Sequence, residues 1–484
     1  MSYLLAKSSV FQRERYKMSS ISHSPTSNTL TNDALTNSTS TSNTSIYQNY
    51  YQAKQEVKEL VAIDYFFAKE MLLALTPETE NQATLQALFF ALSASLRSGH
   101  TCLALNEIAN SQWGSKAQDL SGADVIKQPL MFPDVNAIHS MLDKLAITAD
   151  DTQPIVLHEG KLYLRRYFQF ETDLAHFINK RLAISSTFDV QAIQACIKSL
   201  FPETSNLATT ELDWQKIAVA NAINKNFSVI AGGPGTGKTY TVTKLLAALV
   251  MLFSMKNKES SVTSNANKNT DKETHKLNIA LVAPTGKAAQ RLSESIINAV
   301  TAFKGSIDDE VLDQIPSNAQ TIHRLLGVIP NSPNFRHNQD NLLPYDIILI
   351  DEVSMVDLPL MTRIFRSLRP DAKVILLGDA DQLPSVAAGS VLADIAPRPH
   401  GGFSLDNHAY LAQVCQLPSL LLTQAFERSV IAPDNSEQPI STSDHLTFLL
   451  KSRRFDGQGG IGLLANAVIT GKGRDSWQLL NRSA

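Results

Sequence analysis

The rhythm of hydrophobic and polar positions changes twice along this chain. Residues 19–49 are mostly Ser, Thr and Asn with few apolar groups. Such a segment cannot offset its ordering entropy by burial, so the pattern predicts a disordered tail over 1–55. From about Glu56 the spacing becomes helical. The runs from Leu60 to Leu75 and from Ala87 to Leu96 predict helices with one buried face. Ile155 to Leu164 predicts two short strands around a Glu159-Gly160 turn, and a helix containing Asp173–Leu182 follows. These elements make a small, mainly helical domain over 56–205.

The second change comes at Asp213. As far as Arg398, short apolar runs rich in β-formers alternate with helical stretches. Strands are expected near 226–231, 278–283, 346–350 and 373–377, and a helix over 242–250. Continuous apolar strands separated by helices are the pattern of a parallel α/β sheet buried on both faces. The predicted fold class is therefore α/β, with this domain over 206–400. A polar stretch near 254–276 breaks the alternation and reads as a surface insertion. Lengthening a loop costs only about 0.6 kcal/mol per doubling. Gly327 to Pro344 reads as a small hairpin or loop projecting from the sheet.

Composition narrows the classes without choosing one. The chain has 484 residues, 43% of them hydrophobic, and a net charge of −3. No global basic field draws it to nucleic acid, so any such contact must come from a local groove. Cys102, Cys196 and Cys415 are far apart, with neither metal-ligand spacing nor a disulfide framework, as expected in a reducing cytosol. The N-terminus has no apolar core of signal-peptide length, and no run of apolar residues approaches a membrane span.

The chemistry begins at Gly232, Gly233, Pro234, Gly235, Thr236, Gly237, Lys238 and Thr239, a complete G-x-x-x-x-G-K-T loop between a predicted strand and a predicted helix. Small residues leave backbone N–H groups free to point inward, and the helix dipole favours negative charge. Lys238 is expected to reach the β- and γ-phosphates of a nucleoside triphosphate, and the Thr239 hydroxyl to hold Mg2+. The third strand ends in Asp351 and Glu352. Asp351 is the candidate Mg2+ ligand, directly or through water, and Glu352 the candidate for orienting the attacking water. The fourth strand runs into Gly378-Asp379-Ala380-Asp381-Gln382, where Gln382 is a candidate to hydrogen-bond the γ-phosphate and also fits an ordinary polar turn after a strand.

Together these segments resemble the superfamily 1 DNA helicases, and among them the RecD family of helicase–nuclease subunits. Trp214-Gln215 is similar to the segment whose glutamine reads adenine. Pro284, Thr285, Gly286 and Lys287 resemble the motif that touches the DNA backbone, and Thr321 to Gly327, with Thr321 and His323, resemble the next DNA-binding motif. Lys451 to Phe455, followed by Gly460 to Gly462, resembles a motif of the second motor domain, whose arginine would be Arg454. The likeness covers about residues 56–475. It implies ATP and Mg2+ as substrate and cofactor and 5′→3′ movement on single-stranded DNA. It also implies RecB and RecC as partner subunits, a cytoplasmic site and a role in double-strand-break repair and recombination. The implied architecture is a RecA-like motor domain followed by an incomplete second RecA-like domain over 401–484. From the residues alone, Lys287 also fits a solvated lysine at a helix start, and His323 also fits a satisfied core histidine.

Two further motor motifs, of the types Thr-Val-His-Lys-Ser-Gln-Gly and Tyr-Thr-Ala-x-Thr-Arg-Ala, occur nowhere in the chain. The second supplies a further arginine to the γ-phosphate, and such a residue is worth about 10³–10⁵ in rate in related triphosphatases. The expectation is a C-terminally truncated motor with impaired hydrolysis. The readings to be separated are a translocating subunit, an ATP-binding adaptor without motor activity, and a P-loop ATPase or kinase indifferent to DNA.

Overall fold

The computed structural model describes residues 46–57, 59–113, 130–184, 188–202, 212–263, 276–383, 385, 387–397, 400, 402–418, 421–423, 443–450, 463–464, 467–468 and 471–481. The chain forms two compact units that divide between Glu171 and Thr172. The first contains α1 (Tyr50–Glu56), α2 (Ala62–Leu75), α3 (Gln82–Arg97), β1 (Cys102–Ala104), α4 (Leu105–Ile108), β2 (Gln112–Trp113), β3 (Leu130–Met131), α5 (Val135–Asp143), β4 (Ile155–His158) and β5 (Lys161–Leu164). Helix α6 (Arg165–Leu182) carries the chain across the division.

A buried carboxylate pins α2 to α3. Asp64 accepts hydrogen bonds from Ser93 Oγ at 2.7 Å and from Arg97 Nη2 at 2.9 Å, and Leu85, Leu88, Phe89, Phe90 and Leu92 fill the core around them. The β4–β5 hairpin forms at the expected turn. Glu159 and Gly160 both take left-handed backbone (φ 46° and 71°), which matches the twist of the flanking strands. Two expectations change here. Within the stretch expected to be a tail, Asn49 caps α1 by accepting from Gln52 N at 2.9 Å, and Ala53 is buried in the first core. The expected boundary at 205 falls too late, because Ile193, Cys196, Ile197 and Leu200 pack into the core of the second unit.

The second unit contains α7 (Val190–Leu200), α8 (Trp214–Ile223), β6 (Phe227–Gly232), α9 (Lys238–Thr263), β7 (Ile279–Ala283), α10 (Gly286–Phe303), α11 (Asp309–Leu312), β8 (Gln320–Thr321), α12 (Ile322–Leu326), β9 (Ile347–Ile350), α13 (Leu358–Arg366), β10 (Lys373–Gly378), α14 (Val391–Ile395), α15 (Leu405–Cys415), β11 (Leu446–Leu449) and a last helix, α16 (Gly473–Asn481). The sheet order is β11-β6-β10-β9-β7-β8, and all five pairings are parallel. Strands β6, β7, β9, β10 and β11 are buried throughout, as continuous apolar runs require. Ile230, Leu281, Leu349, Ile375 and Leu377 enter one core with residues of α7, α8, α9, α10 and α15. On the sheet, Phe227 meets Phe365 of α13 with ring centroids 6.1 Å apart.

Three further expectations are corrected. The parallel sheet does not end at 400: β11 lies parallel beside β6 with Leu446 opposite Val229 and Leu449 opposite Gly232. Residues assigned to the start of a second RecA-like domain thus complete the first. Among the described residues no strand follows β11. The expected insertion begins as helix, since α9 continues to Thr263, while 264–275 lie outside the described residues. The stretch Lys238–Lys258 of α9 is long and apolar enough to cross a membrane by length and composition, but its most apolar part is mostly buried inside the protein. It behaves as the core helix behind the glycine loop. The 327–344 segment is a loop held by isolated antiparallel bridges, Val328 to Phe335 and Asn338 to Asn341.

Candidate nucleotide site

All six strands run in one direction, so their C-terminal ends share one edge. That edge carries the glycine loop after β6, Asp351 after β9, Asp379 after β10, Thr285 after β7 and the end of β11. Ligands of open α/β sheets bind at such an edge.

The loop's glycines are set by space as much as by conformation. A Cβ on Gly232 would lie 2.7 Å from Thr236 Oγ1 and 3.0 Å from Leu449 Cβ. Gly237 has φ 84°, and a Cβ there would overlap the Gln215 amide. Thr236 braces the turn by donating its hydroxyl to Gly233 O at 2.9 Å. Lys238 lies over the loop, donating Nζ to Gly232 O at 2.6 Å and Gly233 O at 3.2 Å. The cation is thus poised above the N-terminus of α9, where incoming phosphates would replace the carbonyls.

Gln215 sits in the first turn of α8, whose N-terminus Asp213 caps by accepting from Gln215 N at 2.9 Å. Its side chain is buried and donates Nε2 to Thr236 O at 3.0 Å. Its Oε1 is buried without a hydrogen-bond partner. An orphaned acceptor in this position fits an amino donor such as the exocyclic amine of adenine, and leaving it unpaired costs about 1–3 kcal/mol.

Asp351 N donates to Val282 O at 2.9 Å, continuing the parallel ladder one residue past β9, and its carboxylate accepts from Glu352 N at 2.9 Å. Burial pushes the Asp351 carboxyl up to about 6, and the neighbouring Glu352 charge adds to the rise. The Glu352 N–H and the Lys238 charge pull the other way. Glu352 itself is left-handed, at φ 52° and ψ 46°, a conformation that costs a non-glycine residue about 1–3 kcal/mol and clusters at functional sites. After β10, buried Asp379 accepts from Asp381 N at 3.0 Å, and Gln382 N donates to Asp379 O at 3.2 Å. Gln382 is exposed on this turn.

The candidate DNA residues form a second group on the same edge. Ala283 pairs with Thr321, which sets Pro284, Thr285, Gly286 and Lys287 beside the start of α12. Thr285 caps α10 by accepting from Ala288 N, and Thr321 caps α12 by accepting from Arg324 N, both at 3.2 Å. Lys287 and His323 are exposed. His323 is no core histidine, and its ring lies 5.8 Å from that of Phe335. Arg454 and the rest of 451–462 lie outside the described residues. Sequence reasoning missed the brace at Thr236 and the contact of Leu449 with Gly232, because neither type nor spacing marks them.

The sheet, the glycine loop and the carboxylates after β9 define a P-loop nucleoside triphosphatase domain. Residues 215–388 match the family model described as "AAA domain", and residues 56–163 match "RecBCD enzyme subunit RecD, N-terminal domain". Similar curated proteins include the RecBCD enzyme subunit RecD of Haemophilus influenzae, 34% identical over 443 residues, 88% of this chain and 63% of that one. The RecD subunit of Mycobacterium tuberculosis H37Rv is 34% identical over 71% of this chain and 51% of its own length. The ATP-dependent RecD2 DNA helicase of Deinococcus radiodurans is 33% identical over 49% of this chain and 26% of its own. The chain is thus similar to RecD subunits over much of its length, and it spans 63% and 51% of the two compared. A solved Pif1 helicase from Bacteroides, in complex with ADP-AlF3 and single-stranded DNA, is 21% identical over 54% of this chain and 47% of that one. Its TM-score is 0.25.

Proposed function

We propose that this chain is the ATP-driven motor subunit of a RecBCD-type helicase–nuclease, moving 5′→3′ on single-stranded DNA in double-strand-break repair. RecB and RecC homologues are its partners, and the cytoplasm is its compartment. The observation that supports this most is the buried, unpaired Gln215 Oε1 held over a complete glycine loop whose lysine shares its surroundings with Asp351.

In this reading Lys238 exchanges the carbonyls of Gly232 and Gly233 for phosphate oxygens, and Gln215 accepts from the adenine amine. Thr239 and Asp351 hold Mg2+, which neutralises the phosphates when bound. The remaining ligands are phosphate and water, as Mg2+ prefers. Glu352 orients the attacking water, and Gln382 and Arg454 respond to the γ-phosphate. Thr285, Lys287, Thr321 and His323 contact the DNA backbone without reading bases.

The test is ATP turnover with and without single-stranded DNA. Stimulation by DNA that is lost in Lys238→Gln supports the motor reading. Turnover unchanged by both DNA and this substitution overturns it. ATP binding without DNA-stimulated turnover, together with retention on RecB and RecC homologues, identifies the adaptor instead.

A further inference from the structure

Helix α8 holds two parts of the site at once. At its first turn Gln215 reaches the loop at Thr236 O. Six residues later in the same helix stands Asn221, 1% exposed, between Ala220 and Ala222. Asparagine is a poor interior helix residue, and here its side chain is committed to tertiary partners. Its Nδ2 donates to Asp444 O at 2.9 Å and to Thr447 Oγ1 at 3.1 Å, and its Oδ1 accepts from Asn407 Nδ2 at 3.0 Å. Asp444 and Thr447 belong to the entry and body of β11. That strand ends with Leu449 opposite Gly232, close enough that a Cβ on the glycine would meet it.

Residues six apart lie about 9 Å apart along a helix and about two thirds of a turn apart around it. A helix pinned at two such points cannot roll. We infer that Asn221 is a positioning residue for the nucleotide site: it locks α8 to β11 and so fixes the roll that aims Gln215 at the loop, while holding Leu449 against Gly232. A roll of about 10° would move the end of the Gln215 side chain by about 1 Å, enough to spoil a directed hydrogen bond. The inference rests on the reading of Gln215 as the adenine contact.

The experiment measures equilibrium binding of fluorescent ATP and GTP analogues to the full chain. Wild type prefers ATP, and Gln215→Ala removes the preference. Equal binding of both nucleotides by wild type would refute the adenine reading, and this inference with it. Once the preference is established, Asn221→Ala lowers the ATP-to-GTP affinity ratio by about fivefold or more, the loss of one directed contact. Thr447→Val, which removes the strand's hydroxyl and leaves α8 intact, lowers it too, and Thr447→Ser keeps it. Tyr410→Phe is the control: it deletes a half-buried hydrogen bond to α8, Tyr410 Oη to Ala220 O at 2.9 Å, without touching β11, and keeps the ratio. An unchanged ratio in Asn221→Ala and Thr447→Val overturns the assignment, and so does an equal fall in Tyr410→Phe. Should Asn221→Ala fail to fold, Thr447→Val decides alone.

Discussion

The Gln215 amide donates to the Thr236 carbonyl across 3.0 Å, tying the first turn of α8 to the turn of the phosphate loop. The bond orients the side chain so that its other polar atom, Oε1, is buried and unpaired. An arrangement that stabilised only the empty protein would pair both atoms, because an orphaned buried acceptor costs about as much as a hydrogen bond contributes.

Gln215→Leu tests that balance. It removes one hydrogen bond and one orphaned acceptor together, so the nucleotide-free protein should lose no more than about 1 kcal/mol. ATP affinity should fall about tenfold or more for want of the adenine acceptor. Thermal unfolding and calorimetric titration measure the two. A large loss of stability with unchanged affinity would make Gln215 a purely structural brace.

Asp351 should show the opposite trade between stability and function. Its carboxyl is raised from 3.8 to about 6, chiefly by burial. The folded state therefore binds the more protons between those values, and stability is lost as pH rises through that window. Asp351→Asn should be the more stable protein at pH 7 and above, by about 1–3 kcal/mol, with the difference gone near pH 4. Mg2+-dependent turnover should disappear in the same variant. Denaturation curves at pH 4, 6 and 8 give the answer, and a variant less stable than wild type at pH 8 would contradict it.

The loop glycines are unequal. Nothing lies within 4 Å of a Cβ built on Gly233, whereas Gly237 combines φ 84° with an overlap on the Gln215 amide. Gly233→Ala should fold with near wild-type stability. Gly237→Ala should lose about 1–3 kcal/mol through left-handed strain and displacement of Gln215. A melting comparison of the two variants suffices, and equal effects would refute the steric account.

The strands of the parallel sheet were legible because each is a short apolar run bounded by polar turns. Strands β6, β7, β9 and β10 begin and end within about a residue of their expected positions. Strand β11 was not assigned to this sheet. Leu446–Leu449 is equally apolar, but parallel pairing with β6 joins segments more than 200 residues apart, and nothing local announces it. The same holds for the site. Lys238, Asp351 and Glu352 were named as candidates because the chemistry proposed for them has a fixed offset from a strand end. Asn221 has none, since its partners Asp444, Thr447 and Asn407 lie far along the chain and only the fold assembles them. Thr285 and Thr321 were read for phosphate contact, and their capping of α10 and α12 adds a structural duty that limits how they can be altered.

Lys373, at the start of β10, offers a test at the opposite end of the sheet. Its ammonium is buried and donates to Ala222 O at 3.0 Å and Ile223 O at 3.2 Å, the last carbonyls of α8, and to Lys225 O just beyond the helix. A cation suits the negative end of a helix, but burial dominates and pulls the amine down to about 7. Between that value and its ordinary 10.5 the unfolded chain holds the proton and the folded chain has lost it. Stability therefore rises with pH across this window, by up to about 1.4 kcal/mol per pH unit, and is flat below it as far as this group is concerned. Lys373→Met removes the linkage. Wild type should gain on the variant steadily from pH 7 to 9.5 in chemical denaturation, while parallel curves would show that the three carbonyls hold the ammonium charged throughout. Because the carbonyls of Ala222 and Ile223 end the helix that carries Gln215 and Asn221, the same titration should leave nucleotide preference unchanged only if the Asn221 lock, and not the Lys373 cap, fixes the roll of α8.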